Sequence, residues 1–192
     1  MTILILGLVL FLGVHSVRIV ADDWRTATRA RIGEKAWKGI YSLLSLLGFG
    51  LIIYGFGLAR QDPVVVWNPP MFMRHITILL VAIAFVMLAA SHVPSNGIKA
   101  RLHHPMVLGV KTWAFAHLLA NGKLHDIVLF GAFLVWAIVD FSSARKRDAA
   151  AGTVYPAGTG AATVIAVVVG LVAFAVFAFG LHGPLIGVRP LP

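Results

Sequence analysis

The sequence predicts an all-α fold, a polytopic bundle of about six transmembrane helices with both termini on the non-cytoplasmic side. Three observations predict it. Of 192 residues, 59% are hydrophobic and only 12% charged, and the mean hydropathy of +0.91 lies far above that of a soluble domain. Stretches near 2–21, 39–59, 75–92, 105–121, 126–143 and 159–181 are each long enough to cross a hydrocarbon core of ~30 Å as a helix. Lysine and arginine gather in alternate loops, as the positive-inside rule requires of a chain that threads back and forth.

The first span has no basic residue before its apolar run, and Arg18 follows it, so it reads as a retained anchor. The second carries Gly48, Gly50, Gly55 and Gly57, small residues that let a neighbouring helix approach closely. Asp126 opens the fifth span, where a carboxylate complements the positive end of the helix dipole. Asp140, near its other end, is expected to meet the cluster Arg145-Lys146-Arg147 or headgroup water. Residues 148–160, rich in alanine, glycine and threonine, read as a flexible cytoplasmic connector. Ala166 and Gly170 repeat the small-residue spacing in the sixth span. Trp67 reads as an interfacial anchor and Trp136 as interior packing. Short loops make neighbouring helices antiparallel, so residues 1–192 form one domain.

Orientation follows from charge. Arg25, Arg29, Arg31, Lys35 and Lys38, then Lys99 and Arg101, then Arg145, Lys146 and Arg147 share one side; the opposite side holds Arg60, Arg74, Lys123 and Arg189. The first set is expected in the cytoplasm of a cell whose inner membrane the chain spans repeatedly. A net charge of +9 distributed over such loops is ordinary for a membrane protein and does not point to nucleic acid. With no cysteine, the chain has no disulfide, CxxC or CxxCH chemistry and no thiolate-held metal.

Chemistry enters through the eight histidines. His75, His125 and His182 lie near span ends, where imidazole bonds to headgroups or water at little cost. His15 and His117 fall inside apolar spans and need a partner there. A helix-to-helix hydrogen bond would satisfy either one. On span four, however, Gly109, Trp113, His117 and Asn121 recur every fourth residue as a stripe, and on span one Arg18 lies one turn beyond His15. A nitrogen ligand, a flat ring and a cation suit haem, with Arg18, Arg101 and Lys111 as candidates for its propionates. His104 and His117, thirteen residues apart, diverge by roughly 140° on one helix, which argues against a two-haem stack and for one haem between two helices.

Val14-His-Ser-Val-Arg18, Ile32 through Ser42, His92 through Gly97, His104-Pro105 and Trp113 through Gly122 occur in an order that resembles the NnrU family of bacterial membrane proteins. That family is similar to the 15-cis-zeta-carotene isomerases. The resemblance implies haem b with His15 and His117 as axial ligands, and an association with nitrite and nitric oxide metabolism or isomerase-like redox chemistry. It implies membrane lipid, haem and a small hydrophobic or nitrogen-oxide ligand as partners. In the isomerases a cysteine stands three residues before the span-four histidine; here Ala114 takes that place, so a thiolate switch cannot operate. Where an arginine commonly precedes His-Pro, this chain has His103.

Simple registers, centring span one near Phe11 and span four near Trp113, set His15 and His117 roughly 10 Å apart in depth. Axial nitrogens need about 4 Å. Tilt or a shifted span would close the gap; otherwise His104 or His92 becomes the partner of His15. Two other classes stay open. His104-Pro-Met-Val-Leu-Gly109 also resembles the isoprenylcysteine and phospholipid methyltransferases, though no polar segment to grip a methyl donor is evident. A cofactor-free scaffold or assembly factor, its histidines only pinning helices together, is the third.

Overall fold

The computed structural model describes residues 1–190. Five helices are long and apolar enough to cross a membrane, joined by one shorter apolar helix. They are α1 (Thr2–Val20), α3 (Glu34–Ala59), α4 (Met73–His92), α6 (Pro105–Ala120), α7 (Leu124–Ala151) and α8 (Gly160–Ala175), the last continuing through a π-helical turn (Val176–Leu181) into α9 (His182–Ile186). Between them lie two helices that the hydropathy pattern conceals, α2 (Asp22–Ile32) and α5 (Gly97–Leu102). The chain leaves α1 at Ala21, whose non-helical backbone (φ −146°, ψ 46°) breaks the helix, and enters α3 through Gly33 at a φ of +87° that favours glycine.

Packing arranges the spans in the order α3, α1, α7, α6, α4, α8, with α7 between α1 and α6. At the end opposite the basic loops, Arg60, which caps α3, donates a hydrogen bond to the Ile186 carbonyl and draws the last helix toward the first of that row. The close approaches fall on small residues, because dispersion contacts between backbones replace the hydrophobic drive that lipid removes. Gly48 and Gly55 press on α1 at Phe11 and Ile3, and Gly7 presses back on Ile52; Gly50 and Gly57 face open space and take no part. Ala166 is fully buried and Gly170 abuts Val86 of α4, as their spacing predicts.

Residues 148–160 are not a free connector. The helix runs on to Ala151, and the short strap after it is tied down. Thr159 bridges to Asn96, Gly158 sits against the Asn96–Gly97 backbone, and Thr163 Oγ1 accepts from the Gly97 amide at 2.8 Å. Asn96, 1% exposed, organises this corner: its amide donates to the Ala90 and Val93 carbonyls at 2.8 and 2.6 Å, and its oxygen accepts from the Lys99 amide at 2.8 Å. Composition is silent about such pairing. Asn96→Ala should therefore lower stability by about 2 kcal/mol, read as thermal unfolding in detergent.

Candidate functional site

His15 and His117 both lie against α7. Nδ1 of His15 donates to the Phe11 carbonyl at 2.6 Å and Nδ1 of His117 to the Trp113 carbonyl at 2.9 Å, each one turn back on its own helix. A carbonyl only accepts, so both rings are fixed with the proton on Nδ1 and the lone pair on Nε2. That is the tautomer a metal-bound histidine adopts when its second nitrogen is held by the protein.

Each imidazole is framed by aromatic rings. His15 stacks on Phe11 at 4.2 Å and meets the edges of Tyr41 and Trp136 at 5.3 and 6.2 Å. His117 stacks on Phe130 at 4.5 Å and lies 5.2 Å from Trp113. Phe133 joins the two groups, 5.9 Å from Phe11 and 5.6 Å from Trp113. A row His15, Phe11, Phe133, Trp113, His117 thus crosses three helices.

The structure does not bring the two imidazoles together over one point. His15 sits at the height of Trp136 on α7 and His117 at that of Phe130, and six residues of helix rise about 9 Å. The depth mismatch drawn from simple registers therefore persists in the packed bundle, and Phe133 fills the space between. Among the described residues, two buried polar atoms have no partner: the indole Nε1 of Trp136, beside His15, and Ser45 Oγ on α3. Burying an indole N–H unpaired costs on the order of 1–3 kcal/mol, which a bound group that accepts a hydrogen bond would recover.

The remaining candidates separate. Gly109 faces α4, with a Cβ there meeting the Ala84 carbonyl at 3.0 Å, so it serves helix packing and leaves the His117 face. Four-residue steps advance about 40° each, and over the stripe that drift carries Gly109 round the helix. Asn121 turns back to cap its own helix, donating to the His117 carbonyl at 2.8 Å. Lys111 places its ammonium 5.9 Å from the Phe141 ring centre. Arg101 is exposed. Arg18 lies 4.0 Å from Asp22 and lines a cavity of about 260 Å³ at the basic end, with His104, Val107, Asp140, Arg147 and Asp148 among its walls. Asp140 does meet the basic cluster, 3.9 Å from Arg147.

The alternates are already engaged. Nε2 of His104 donates to Asp148 at 2.7 Å, and the Tyr155 hydroxyl donates to the same oxygen at 2.8 Å. His103, at a φ of +64°, stacks flat on Tyr155 at 4.2 Å. Burial, with the Asp148 carboxylate beside it, pushes the Tyr155 hydroxyl above its ordinary pKa, so it stays a donor at neutral pH. His92 is exposed and bonds to the Leu88 carbonyl at 3.0 Å.

His125 departs from the expectation of a headgroup contact. It is 2% exposed, edge-on to Phe56 at 5.1 Å and 3.6 Å from Asp126, itself 7% exposed. Position near a span end concealed this pair, because the Phe56 ring of α3 reaches across to the His125 side chain. Among the described residues, no three His, Asp or Glu side chains converge as a metal site. Two imidazoles suffice for haem, whose macrocycle brings the other four donors.

Fold and side chains together define a polytopic helical membrane protein with two tautomer-fixed imidazoles inside its apolar bundle. A family model described as NnrU protein matches residues 3–190, and the chain belongs to the NnrU family. Comparison with curated proteins and with solved structures returned no match.

Proposed function

We propose that this NnrU protein binds one haem b within the membrane and serves nitrite and nitric oxide metabolism in a redox or sensing role. One observation carries the reading: both intramembrane histidines present Nε2 lone pairs, fixed by hydrogen bonds to their own helices, on either side of α7. The donor set fits haem, with His15 and His117 as the imidazoles and Lys111 as the cation on α6. The difference in height of about 9 Å, with Phe133 between, means that α1 or α6 must shift along its axis for both to serve one iron. Bound there, haem would supply one-electron chemistry and an affinity for small gaseous ligands. The chain's part is to fix each tautomer, to exclude water with Phe11, Trp113, Phe130 and Phe133, and to offer the Trp136 N–H as a donor.

The basic end belongs, in this reading, in the cytoplasm, with the chain in the cell inner membrane and both termini on the far side. Gentle detergent purification should yield coloured protein with a Soret band and one haem per chain, shifting between oxidised and reduced forms. Colourless, folded protein whose thermal stability does not respond to added haem would retire the proposal. That result would instead support a cofactor-free scaffold, which the filled row of rings around Phe133 favours.

A further inference from the structure

The cavity at the basic end is left unused by the haem reading. Its walls come from the ends of α1, α6 and α7, and charged groups of both signs face it: Arg18, His104, Asp140, Arg147 and Asp148. Several of these are incompletely satisfied. Asp140, with its side chain 17% exposed, has Arg147 only at 3.9 Å, beyond hydrogen-bond reach. Arg147 spends one Nη on Ser143 at 2.6 Å, and Arg18 approaches Asp22 no closer than 4.0 Å. Asp148 accepts from His104 and Tyr155 through a single oxygen, Oδ2, and leaves Oδ1 free.

Donors and acceptors thus stand open within one small space. A simple anion would meet Asp140 and Asp148, and a simple cation would meet two guanidinium groups. A zwitterion answers both. We propose that this cavity binds the phosphoethanolamine headgroup of a phospholipid, its phosphodiester on Arg18 and Arg147 and its ammonium on Asp140. A cavity of about 260 Å³ has room for a group of this size. A choline headgroup carries no N–H to donate, and a glycerol headgroup carries no cation.

Location favours lipid over a soluble ester. The cavity opens at the ends of two membrane-spanning helices, α1 and α7, and of the shorter apolar α6, at the level where headgroups of a surrounding bilayer would lie.

The test is competition on the intact protein. Purified protein is stripped of lipid and titrated with phosphatidylethanolamine, phosphatidylcholine and phosphatidylglycerol of matched chains, with native mass spectrometry and thermal stability as readouts. Phosphatidylethanolamine should be retained roughly tenfold better than the other two, the size of a charge-assisted hydrogen bond. Asp140→Asn should erase its advantage over phosphatidylcholine. Equal retention of the three lipids would overturn the proposal without recourse to any variant. Soluble glycerophosphoethanolamine should give no shift at the same concentration; a full shift from it would reassign the site to a soluble ester and overturn the lipid.

Discussion

Protein carrying both His15→Ala and His117→Ala is expected to fold and to lack the Soret band. The reason lies in what each imidazole does. Nδ1 satisfies only a carbonyl of its own helix, already engaged in the helical ladder, so the helices survive its loss. Nε2 has no role within the described residues, and in the proposed function iron would give it one. Removing the rings costs stacking on Phe11 and Phe130, about 1 kcal/mol per site. A retained spectrum in the double variant would place the haem elsewhere, and a lost fold with no spectral species to lose would return the histidines to a packing role. Phe133→Ala separates the readings further. If its ring keeps haem from the two imidazoles, haem uptake by stripped protein should rise. If the row of rings is only packing, the variant should lose about 3 kcal/mol of stability and gain nothing.

Much of the fold was legible because a bilayer makes few demands and makes them strongly. Unpaired backbone is intolerable in hydrocarbon, so each of the six apolar runs becomes a helix, but only five are long enough to cross: the run at 105–121 yields the shorter α6, which begins at Pro105 and ends at Ala120. Glycine spacing gave the right interface but not the right residues: Gly48 and Gly55 make contact and Gly50 and Gly57 do not, since composition cannot choose a face. What lay outside the bilayer was less legible. α2 and α5 are short and polar, and the strap after α7 is held by Asn96 and Tyr155 through contacts across long stretches of sequence.

The candidate site was legible in part for the same reasons. An imidazole inside an apolar span stands out, and both such residues proved to be fixed at Nδ1. Their difference in height was also readable, because helical rise is constant and the spans are short. The intervening Phe133 was not: it belongs to α7, and nothing in the spacing of spans one and four places α7 between them. Gly109 was misread because a four-residue repeat suggests a straight stripe where a real helix turns past it.

Gly55→Val should be the most damaging single change in the bundle. A Cβ at residue 55 would lie 2.7 Å from the carbonyl carbon of Ile3 and closer still to the Leu4 amide nitrogen. These are backbone atoms, so no side chain can turn aside, and α1 must move bodily from α3. A Cβ at residue 7 would likewise lie 2.6 Å from Ile52 N and one at residue 48 would lie 2.8 Å from Phe11 N, so all three glycines hold the same interface and separation at one point loosens them together. Overpacking of this kind costs about 3 kcal/mol or more, and in lipid the loss is of contact between helices instead of hydrophobic burial. Gly57→Val, two residues on and facing open space, is the control and should change little. Thermal unfolding of the two variants in the same detergent reads the difference, and α1, which carries His15, is the element whose displacement would also be seen in any haem spectrum. Equal melting of the two would mean that α1 and α3 tolerate a wider spacing than their glycines imply.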